Sequence, residues 1–324
     1  MAARQSVLVF RELPPDQLAR ITAVHEVTLA NPRRPEQLAA FEAALPQAQG
    51  MIGSSYRITE ALLAQAPQLR VLSSISAGVD NYPLAALAQR GILLCHTPGV
   101  LTETTADTVF ALVMATSRRI VELANHVRDG HWSRNIGEDR FGWDVHGKTL
   151  GILGFGRIGQ AVARRAALGF DMPVLYHARH AADVPTLAGR AVHTPLDALL
   201  ERADIVVATL PLTAQTRGLM GPREFGRMKP GAIFINGGRG ATVQEDALLQ
   251  ALDGGRLRAA GLDVFATEPL PLDSPLRRHP RVTALPHIGS ATHETRHAMA
   301  ALAVTNLLQA LAGERPPAPY TGGA

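Results

Sequence analysis

The chain has 324 residues, of which 46% are hydrophobic and 19% charged, and its formal net charge is +4. This length accommodates two domains of ordinary size, and the composition is that of a globular protein, which excludes a disordered or fibrous chain. The basic residues are scattered among acidic ones and no apolar run approaches the roughly 20 residues of a membrane span, so we expect neither nucleic-acid nor membrane partners.

The first third of the chain has the pattern of a small α/β unit. Strands are predicted at residues 7–10, 51–53, 71–75 and 92–96, with helices at 38–45 and 60–66. Short apolar runs alternating with helix-length stretches are typical of a parallel sheet covered by helices. The first apolar run is too short for a signal-peptide core, so we expect a cytoplasmic location. The single Cys95 ends an apolar run and is predicted to be buried, and no Cys/His spacing indicates a metal site.

The middle of the chain predicts a larger sheet. One long helix is expected from residue 104 to about 128, followed by strands at 148–153, 174–177, 205–210, 232–236, 260–264 and 282–285. Six strands with helices between them are the number expected of a full dinucleotide-binding sheet. Thr242, three residues before Glu245, predicts a capping box at the start of one helix, and Gly254 predicts its end.

The last predicted helix spans residues 292–312 and is ended by Pro316 and Pro317. Because no strand follows it, we expect it to return to the first domain. The prediction is therefore an α/β protein of two domains. A discontinuous, flavodoxin-like substrate-binding domain would comprise residues 1–100 and 290–324. A doubly wound, Rossmann-type dinucleotide-binding domain would comprise residues 101–289.

A glycine triad lies between the predicted strand at 148–153 and a helix that ends at Gly169. Its residues are Gly154, Gly156 and Gly159. This spacing permits a tight turn and a close approach to a pyrophosphate, which the N-terminus of the helix would bind. A glycine-rich turn without a ligand is the alternative, but the strand–turn–helix context favours a dinucleotide.

Several segments together resemble the D-isomer-specific 2-hydroxyacid dehydrogenase family, over about residues 50 to 310. They include "KTLGILGFGRIGQ", "FINGGRGATVQEDALLQAL", "AAGLDVFATEPL" and "LPHIGSATHETRHAMA". The resemblance implies an NAD(P)-dependent, homodimeric enzyme that reduces small 2-oxo acids to D-2-hydroxy acids. Glyoxylate, hydroxypyruvate and 2-ketogluconate are the candidate substrates.

The resemblance also implies a catalytic set of Arg239, Glu268 and His287, each of which follows a predicted strand. An imidazolium can act as general acid in reduction, a neighbouring carboxylate can orient and stabilise it, and a guanidinium can bind a carboxylate. Each residue alone would have an ordinary structural explanation as a loop, turn or surface group. Their joint occurrence in the order of the family favours catalysis.

Ala77, Gly78 and Val79 match the family's segment that binds the substrate carboxylate, although a simple turn is the alternative. Ser54, Ser55 and Tyr56 are candidates for the substrate's side-chain pocket. One of Trp132 and Trp143 could line the substrate site, but packing is the preferred interpretation. The predicted cofactor contacts are Gly154, Gly156, Arg157, Ile158, Gly159, His177, Arg179, His180, Leu210, Thr216, Gly237, Asp263, Gly289 and Ser290.

The second strand of the larger sheet predicts which nicotinamide cofactor is preferred. NAD-dependent members carry an acid about 20 residues past the glycine loop, where it binds the ribose hydroxyls. Here the expected position is His177, followed by Arg179 and His180. These groups are neutral or positive, so we expect NADPH to be preferred and NADH to remain possible. An ordinary solvated basic loop is the alternative.

Four other functions compete with this interpretation. An NAD-dependent D-2-hydroxyacid dehydrogenase or a short form of phosphoglycerate dehydrogenase stays open. Formate dehydrogenase is disfavoured because Glu268 stands where that enzyme typically carries glutamine. A nucleotide-sensing protein without catalysis is disfavoured because the chain keeps Arg239, Glu268 and His287.

Overall fold

A computed structural model describes residues 4–322 of the chain. They form two compact units, one of residues 4–101 with 291–322 and one of residues 102–290. Within the described part, no helix is long and apolar enough to cross a membrane.

The secondary structure alternates between strands and helices along the chain. The strands are β1 (Ser6–Val9), β2 (Glu26–Leu29), β3 (Gly50–Gly53), β4 (Val71–Ser74), β5 (Leu93–Cys95), β6 (Leu150–Leu153), β7 (Val174–His177), β8 (Ala191–His193), β9 (Ile205–Ala208), β10 (Ala232–Asn236), β11 (Leu257–Leu262) and β12 (Val282–Ala284). The helices are α1 (Pro15–Thr22), α2 (Pro35–Ala44), α3 (Glu60–Ala64), α4 (Leu84–Gln89), α5 (Thr102–Ser117), α6 (Ile120–Arg128), α7 (Arg157–Gly169), α8 (Leu196–Arg202), α9 (Pro222–Arg227), α10 (Glu245–Asp253) and α11 (His293–Leu311). Short 3-10 turns cover Leu45–Gln47, Glu138–Arg140, Pro185–Leu187, Gly240–Thr242 and Pro275–Arg277.

The smaller unit is built on a parallel sheet with strand order β2-β1-β3-β4-β5. This is the flavodoxin-like order, and it reverses between β1 and β3. The four predicted strands are confirmed within one or two residues. Strand β2 was missed because it is an edge strand in which no residue is buried, so it lacks the apolar run that marks a central strand.

The larger unit has a seven-stranded parallel sheet in the order β12-β11-β10-β9-β6-β7-β8. The order reverses between β6 and β9, as in a doubly wound Rossmann sheet. The predicted fold class and all six predicted strands are confirmed. The seventh strand, β8, was missed because it has three residues at the sheet edge, two of them exposed.

Both faces of the larger sheet are covered. Two apolar clusters pack against this sheet. Ile152 of β6 and Ile235 of β10 belong to the first cluster, and their neighbours Leu153 and Phe234 belong to the second. A strand buried on both faces needs a continuous apolar run, which is the pattern by which these strands were predicted. The smaller unit has one apolar cluster of its own.

The single long helix predicted from 104 to about 128 is wrong. Two helices, α5 and α6, are separated at Arg119, whose φ of 54° is left-handed. The Arg119 guanidinium bonds to Glu122 at 2.6 Å and to the Asp139 carbonyl at 2.6 Å, which holds the break in place. None of the residues of α6 is buried.

The predicted capping box is also wrong. Thr242 lies in a 3-10 turn, and its hydroxyl donates to the Arg239 carbonyl at 2.6 Å. Helix α10 begins at Glu245 without a side-chain cap, and the Glu245 carboxylate accepts instead from the Ala266 amide at 2.8 Å. The predicted end of this helix at Gly254 is confirmed.

Cys95 is buried, as predicted, and burial raises the pKa of its thiol to about 12. A thiol with such a pKa is a packing group and not a nucleophile at neutral pH. Residues 4–322 contain no group of three His, Cys, Asp or Glu side chains that could hold a metal ion.

Candidate active site

The glycine loop follows β6, at the position where the strand order of the larger sheet reverses. Gly156 is the N-cap of α7, and no side chain caps this helix. A Cβ at Gly159 would lie 2.2 Å from the Gly154 carbonyl oxygen, so only glycine allows the helix to start this close to the strand. The first-turn amides and the helix dipole therefore remain available to a phosphate.

Leu210, a predicted cofactor residue, lies between the glycine loop and the loop after β10. A Cβ on Gly154 would lie 3.1 Å from the Leu210 Cα. A Cβ on Gly238, the neighbour of the predicted Gly237, would lie 2.8 Å from the Leu210 carbonyl oxygen. Thr216, another predicted cofactor residue, lies in the loop after β9. Its hydroxyl donates to the Pro211 carbonyl at 2.6 Å and accepts from the Thr213 amide at 2.8 Å, so it stabilises its own loop.

The end of β7 lies next to the glycine loop, because the Gly154 amide donates to the His177 carbonyl at 2.9 Å. The His177 Nδ1 donates to the Thr194 carbonyl at 3.2 Å, which fixes the ring. Arg179 and His180 follow and are exposed. The segment 176–180 contains no acidic residue, so a carboxylate does not occupy the strand end.

Glu268 and His287 form a hydrogen-bonded pair. The Nδ1 of His287 lies 2.6 Å from Oε2 of Glu268, while Oε1 accepts from the Phe265 amide at 3.0 Å. Burial pushes the pKa of Glu268 upward, but the bonds from His287 and Phe265 and the charge of Arg239 outweigh it, so the pKa is lowered. Because an ionised carboxylate can only accept, Nδ1 is the donor. Nε2 is then the nitrogen available to a ligand.

The backbone at His287 is held in an uncommon conformation. Its φ is 55°, which costs a residue other than glycine roughly 1–3 kcal/mol. The Asp263 carboxylate, 2% exposed, accepts from the Ile288 amide at 2.7 Å and from the Gly289 amide at 2.9 Å. Burial raises the pKa of Asp263 against the effect of these two bonds. Asp263 thus stabilises the loop that carries His287.

The loop that carries Arg239 is fixed through its backbone. The Arg239 carbonyl accepts from Asn236 Nδ2 at 3.1 Å, from Thr242 Oγ1 at 2.6 Å and from the Thr242 amide at 3.2 Å. A Cβ at Gly240 would lie 1.8 Å from the Phe265 carbonyl carbon, so this loop packs directly on the loop leading to Glu268. The fold thus brings Arg239, Glu268 and His287 together at the carboxyl edge of one sheet.

Two polar residues that hold these loops, Asn236 and Thr209, were not predicted from the sequence. Asn236 is 1% exposed, and its Oδ1 also accepts from the Gly238 amide at 3.1 Å. Thr209 donates to the Gly154 carbonyl at 2.7 Å. A single polar residue at or just after the end of an otherwise apolar strand was the signal available for both.

In the smaller unit, Ala77, Gly78 and Val79 follow β4 at the carboxyl edge of the sheet. The Ala77 carbonyl accepts from His96 Nδ1 at 2.9 Å, and the Val79 carbonyl accepts from the Tyr82 amide at 3.1 Å. The amides of residues 77–79 donate to no acceptor within residues 4–322. Successive amides of this kind can bind an anion.

Of the remaining predicted residues, Arg157 is exposed at the start of α7, while Ile158 and Ser290 are half-buried. Ser54 is buried and Tyr56 packs against Phe41, with ring centroids 5.6 Å apart. Trp143 packs under the Arg258 guanidinium at 4.3 Å, whereas Trp132 is 62% exposed.

Comparison with known proteins identifies the family. Residues 110–289 match the model of the D-isomer specific 2-hydroxyacid dehydrogenase, NAD binding domain. The chain is 52% identical over 311 residues to glyoxylate/hydroxypyruvate reductase B of Citrobacter koseri, covering 96% of each chain. A crystal structure of a Thermus thermophilus protein, 43% identical, has a TM-score of 0.89 and covers 98% of this chain and 100% of that one.

A second solved structure carries a description of its ligands. It is the NADPH-dependent glyoxylate/hydroxypyruvate reductase of Sinorhizobium meliloti in complex with NADP and malonate. It is 31% identical, has a TM-score of 0.88 and covers 98% of this chain and 97% of that one. The chain therefore belongs to the D-isomer-specific 2-hydroxyacid dehydrogenase family and is an NAD(P)-dependent oxidoreductase.

Proposed function

We propose that the chain reduces small 2-oxo acids to D-2-hydroxy acids with NADPH. Glyoxylate and hydroxypyruvate are the first candidate substrates because relatives that are 52% identical are named for them, and 2-ketogluconate is the third. The observation that carries the reaction type is the His287–Glu268 hydrogen bond of 2.6 Å in the same unit as the glycine loop and Arg239.

The residues around the glycine loop fit a nicotinamide dinucleotide. The uncapped N-terminus of α7 suits the pyrophosphate, and the proposal places the other cofactor contacts at the ends of β7, β9 and β10. When bound, the nicotinamide supplies the hydride. We assign dinucleotide binding to residues 101–289 and substrate binding to residues 1–100 with 290–324.

The side chains are assigned as follows. His287 donates a proton from Nε2 to the developing alkoxide, while Glu268 stabilises the imidazolium through Nδ1. Arg239 binds the substrate carboxylate and polarises the carbonyl beside it, which a planar guanidinium does with two parallel bonds. In the smaller unit, the three successive amides at Ala77, Gly78 and Val79 offer donors that can bind a carboxylate.

The choice of NADPH rests on the end of β7. A carboxylate there would repel the 2′-phosphate, and none occurs between residues 176 and 180. Arg179 can bind the phosphate through charge-assisted hydrogen bonds, each worth about 1.5–3 kcal/mol when well formed. Two further exposed donors lie close to this strand end along the chain. His180 follows His177 by three residues, and Arg157 follows by four residues Leu153, the β6 residue that pairs with His177.

The substrate is tested by following NADPH and NADH consumption with glyoxylate, hydroxypyruvate, 2-ketogluconate, pyruvate and phosphohydroxypyruvate. Glyoxylate and hydroxypyruvate should have the highest kcat/KM, and hydroxypyruvate should yield D-glycerate by chiral analysis. L-glycerate would contradict the proposal. Phosphohydroxypyruvate as the best substrate, with NADH, would identify a short-form phosphoglycerate dehydrogenase instead.

The cofactor preference is tested at the end of β7. Arg179→Ala should raise the KM for NADPH at least tenfold and the KM for NADH less than about twofold. His177→Asp should shift the preference toward NADH. Arg202→Ala, which removes an exposed arginine at the end of α8, is the control and should change neither value. A wild-type enzyme with higher kcat/KM for NADH would refute the assignment.

We also propose that the chain forms a homodimer. Segment 120–141 presents a concentration of exposed apolar side chains, each 43–62% exposed. They are Ile120, Val121, Val127, Trp132, Ile136 and Phe141. Such a patch favours association. Light scattering should give a molar mass twice the 34.5 kDa of one chain. The double variant Val127→Asp with Trp132→Ser should give the molar mass of one chain. A cytoplasmic location stays a prediction.

A further inference from the structure

We infer that the smaller unit has an anion site, formed by Arg11, Arg296 and the Ser55 hydroxyl, that binds a negatively charged group at the far end of a 2-oxo acid. This inference rests on the proposed function and concerns which 2-oxo acids the enzyme selects. The negatively charged group, called the tail below, is a carboxylate or a phosphate at the end of the substrate opposite its 2-oxo acid group.

The topology of the five-stranded sheet defines the place. Its strand order reverses between β1 and β3, and in open α/β sheets the crevice outside the carboxyl ends at such a reversal is where ligands bind. Arg11 follows β1, and Ser54 and Ser55 follow β3. The arginine and the two serines therefore lie on either side of this crevice.

Hydrogen bonds hold Arg11 over the end of β3. Its Nη1 donates to the Ser54 hydroxyl and, at 3.2 Å, to the Ser55 hydroxyl. Ser54 is 4% exposed, and Ser55 has a left-handed φ of 61°. A buried serine and an uncommon backbone conformation both serve to orient one guanidinium, which is the kind of local cost that functional sites carry.

A second guanidinium acts on the first. Burial lowers the pKa of Arg11, and so do the positive charges of Arg296, in the first turns of α11, and of Arg33. Arg296 is half-buried, and its guanidinium forms no hydrogen bond or ion pair with any residue from 4 to 322. Helix α11, which carries Arg296, packs against β3, the strand that Ser54 and Ser55 follow. Two like charges that act on each other and are partly removed from water are unfavourable unless an anion joins them.

The acidic residues close to this cluster are engaged elsewhere. Glu12, the carboxylate whose charge acts on Arg11, is bonded to Arg34. Asp16, at the start of α1, accepts from His297 at 2.9 Å. The hydroxyl of Tyr82, which also acts on Arg11, donates to Ser74 at 2.9 Å, and burial raises its pKa to about 12, so it stays neutral. The positive charge is therefore left for a ligand.

The distance from the proposed carboxylate-binding segment suits one substrate. Ala77, Gly78 and Val79 follow β4, and β3 lies between β4 and β1. Strands in a sheet are about 4.8 Å apart, so Arg11 starts roughly 10 Å from that segment, and its side chain spans part of the gap. A 2-oxo acid of about five carbons with a charged far end fits between them.

The test compares two substrates that differ only in the tail charge, 2-oxoglutarate and 2-oxopentanoate. In the wild type and in Arg11→Gln and Arg296→Gln, the ratio of their kcat/KM values is measured. Each substitution should lower the kcat/KM for 2-oxoglutarate at least tenfold relative to that for 2-oxopentanoate. The change should lie mainly in a higher KM for 2-oxoglutarate, because a charge-assisted bond to its second carboxylate is lost. Arg11→Lys and Arg296→Lys should retain most of the wild-type ratio.

The control is Arg70→Gln. It removes the same charge from an exposed arginine directly before β4, at the opposite edge of the same sheet, and should leave the ratio unchanged. If 2-oxoglutarate turns over too slowly, glutarate and pentanoate are compared as inhibitors of glyoxylate reduction, with the same expected change in the ratio of their inhibition constants. The Arg296 guanidinium has no partner within residues 4–322, so its substitution should not impair folding.

The two proposals fail in different ways. An enzyme that reduces no 2-oxo acid would remove the proposed function itself. An enzyme that reduces glyoxylate, but whose substrate and inhibitor ratios stay within twofold of wild type in both glutamine variants, would overturn the anion site alone. An equal change in Arg70→Gln would attribute the effect to the general positive charge and would also overturn it.

Discussion

The carboxyl edges of the two sheets differ in how their charged side chains are paired. At the seven-stranded sheet, His287 is bonded to Glu268 and the Asp263 carboxylate accepts two backbone amides. At the five-stranded sheet, Arg11 donates to two serine hydroxyls, and the Arg296 guanidinium has no partner within residues 4–322. At the first edge, which we call the completed edge, the protein itself supplies hydrogen-bond partners for His287, Glu268 and Asp263. At the second edge, no carboxylate in the described part of the chain is bonded to the two guanidinium groups.

This difference fits a division between chemistry and selection. A group that transfers protons must be held in one position and one protonation state before the substrate arrives, because reorganisation during the reaction is costly. A group that selects a substrate can leave its charge for the substrate to neutralise. The substitutions of His287, Glu268 and Asn236 alter the completed edge, and each has a control variant. The substitution of Asp204 alters the opposite edge of the same sheet.

The largest effect is expected for His287→Ala. Losing the general acid should lower kcat by about two to four orders of magnitude, with little change in cofactor binding. His279→Ala is the matched control, because His279 also pairs with a carboxylate, Asp253 at 3.2 Å, but lies before β12, at the opposite edge. Turnover of the His287 variant above about a third of wild type would exclude it from catalysis.

Glu268→Gln should lower turnover at neutral pH roughly tenfold to a hundredfold. The imidazolium loses its counter-charge and the ring loses the acceptor that orients it, so proton donation becomes less effective. In the wild type the lowered pKa of Glu268 keeps its carboxylate ionised well into the acidic range. Glu245→Gln is the control, since Glu245 also accepts from a backbone amide in this region, that of Ala266. A kcat no lower than that of Glu245→Gln would show that Glu268 does not assist proton donation.

Asn236→Ala should raise the KM for the 2-oxo acid about tenfold and lower kcat, because the backbone at Arg239 loses one of its three donors. Asn306→Ala is the control from the smaller unit. Asn306 is equally buried and bridges the His96 carbonyl at 3.0 Å and the Ala318 amide at 2.9 Å. It should lose similar thermal stability without the tenfold change in KM, and equal kinetic effects would argue against positioning.

Asp204→Asn should affect stability and not turnover. Asp204 lies before β9, and its carboxylate accepts from the Thr149 amide at 2.9 Å and from Lys229 Nζ at 2.5 Å. Burial raises its pKa, but these bonds outweigh burial and lower it. A lowered carboxyl pKa stabilises the fold above the unfolded-state pKa, and this stabilisation is lost as pH falls through the folded-state value.

The variant should therefore lose about 1 kcal/mol of unfolding free energy at pH 7, and the difference from wild type should shrink in acid. Denaturant unfolding at several pH values measures it, with kcat as the internal control. A difference that grows as the pH falls would contradict the assigned direction.

The sequence predicted most of the fold because strands buried on both faces must be continuously apolar. Thus β6, β9 and β10 were found, whereas the edge strands β2 and β8 were not. The break at Arg119 was missed because its left-handed conformation depends on contacts with Glu122 and Asp139, the second of them 20 residues away. Local patterns do not contain such contacts.

The site was predicted unevenly for the same reason. Arg239, Glu268 and His287 were identified by motif, and the structure brings them together. Asn236 and Thr209 were not identified, because their function is to bond the backbone of other loops. Thr242 was interpreted as a helix cap from its spacing to Glu245, but the Arg239 carbonyl competes for its hydroxyl.

Asn236 also has a consequence for the chemical ageing of the enzyme. It precedes Gly237, and an asparagine followed by glycine deamidates readily when the backbone is free to bend, because the next amide attacks the side-chain carbonyl. Here both ends of the side chain are bonded and 1% of the residue is exposed, so the folded loop blocks the cyclisation. Conversion can then proceed only when this loop opens. The rate at which aspartate and isoaspartate accumulate at position 236 during storage therefore reports the fraction of time that the loop is open. Each deamidation removes the amide that bonds the Arg239 carbonyl.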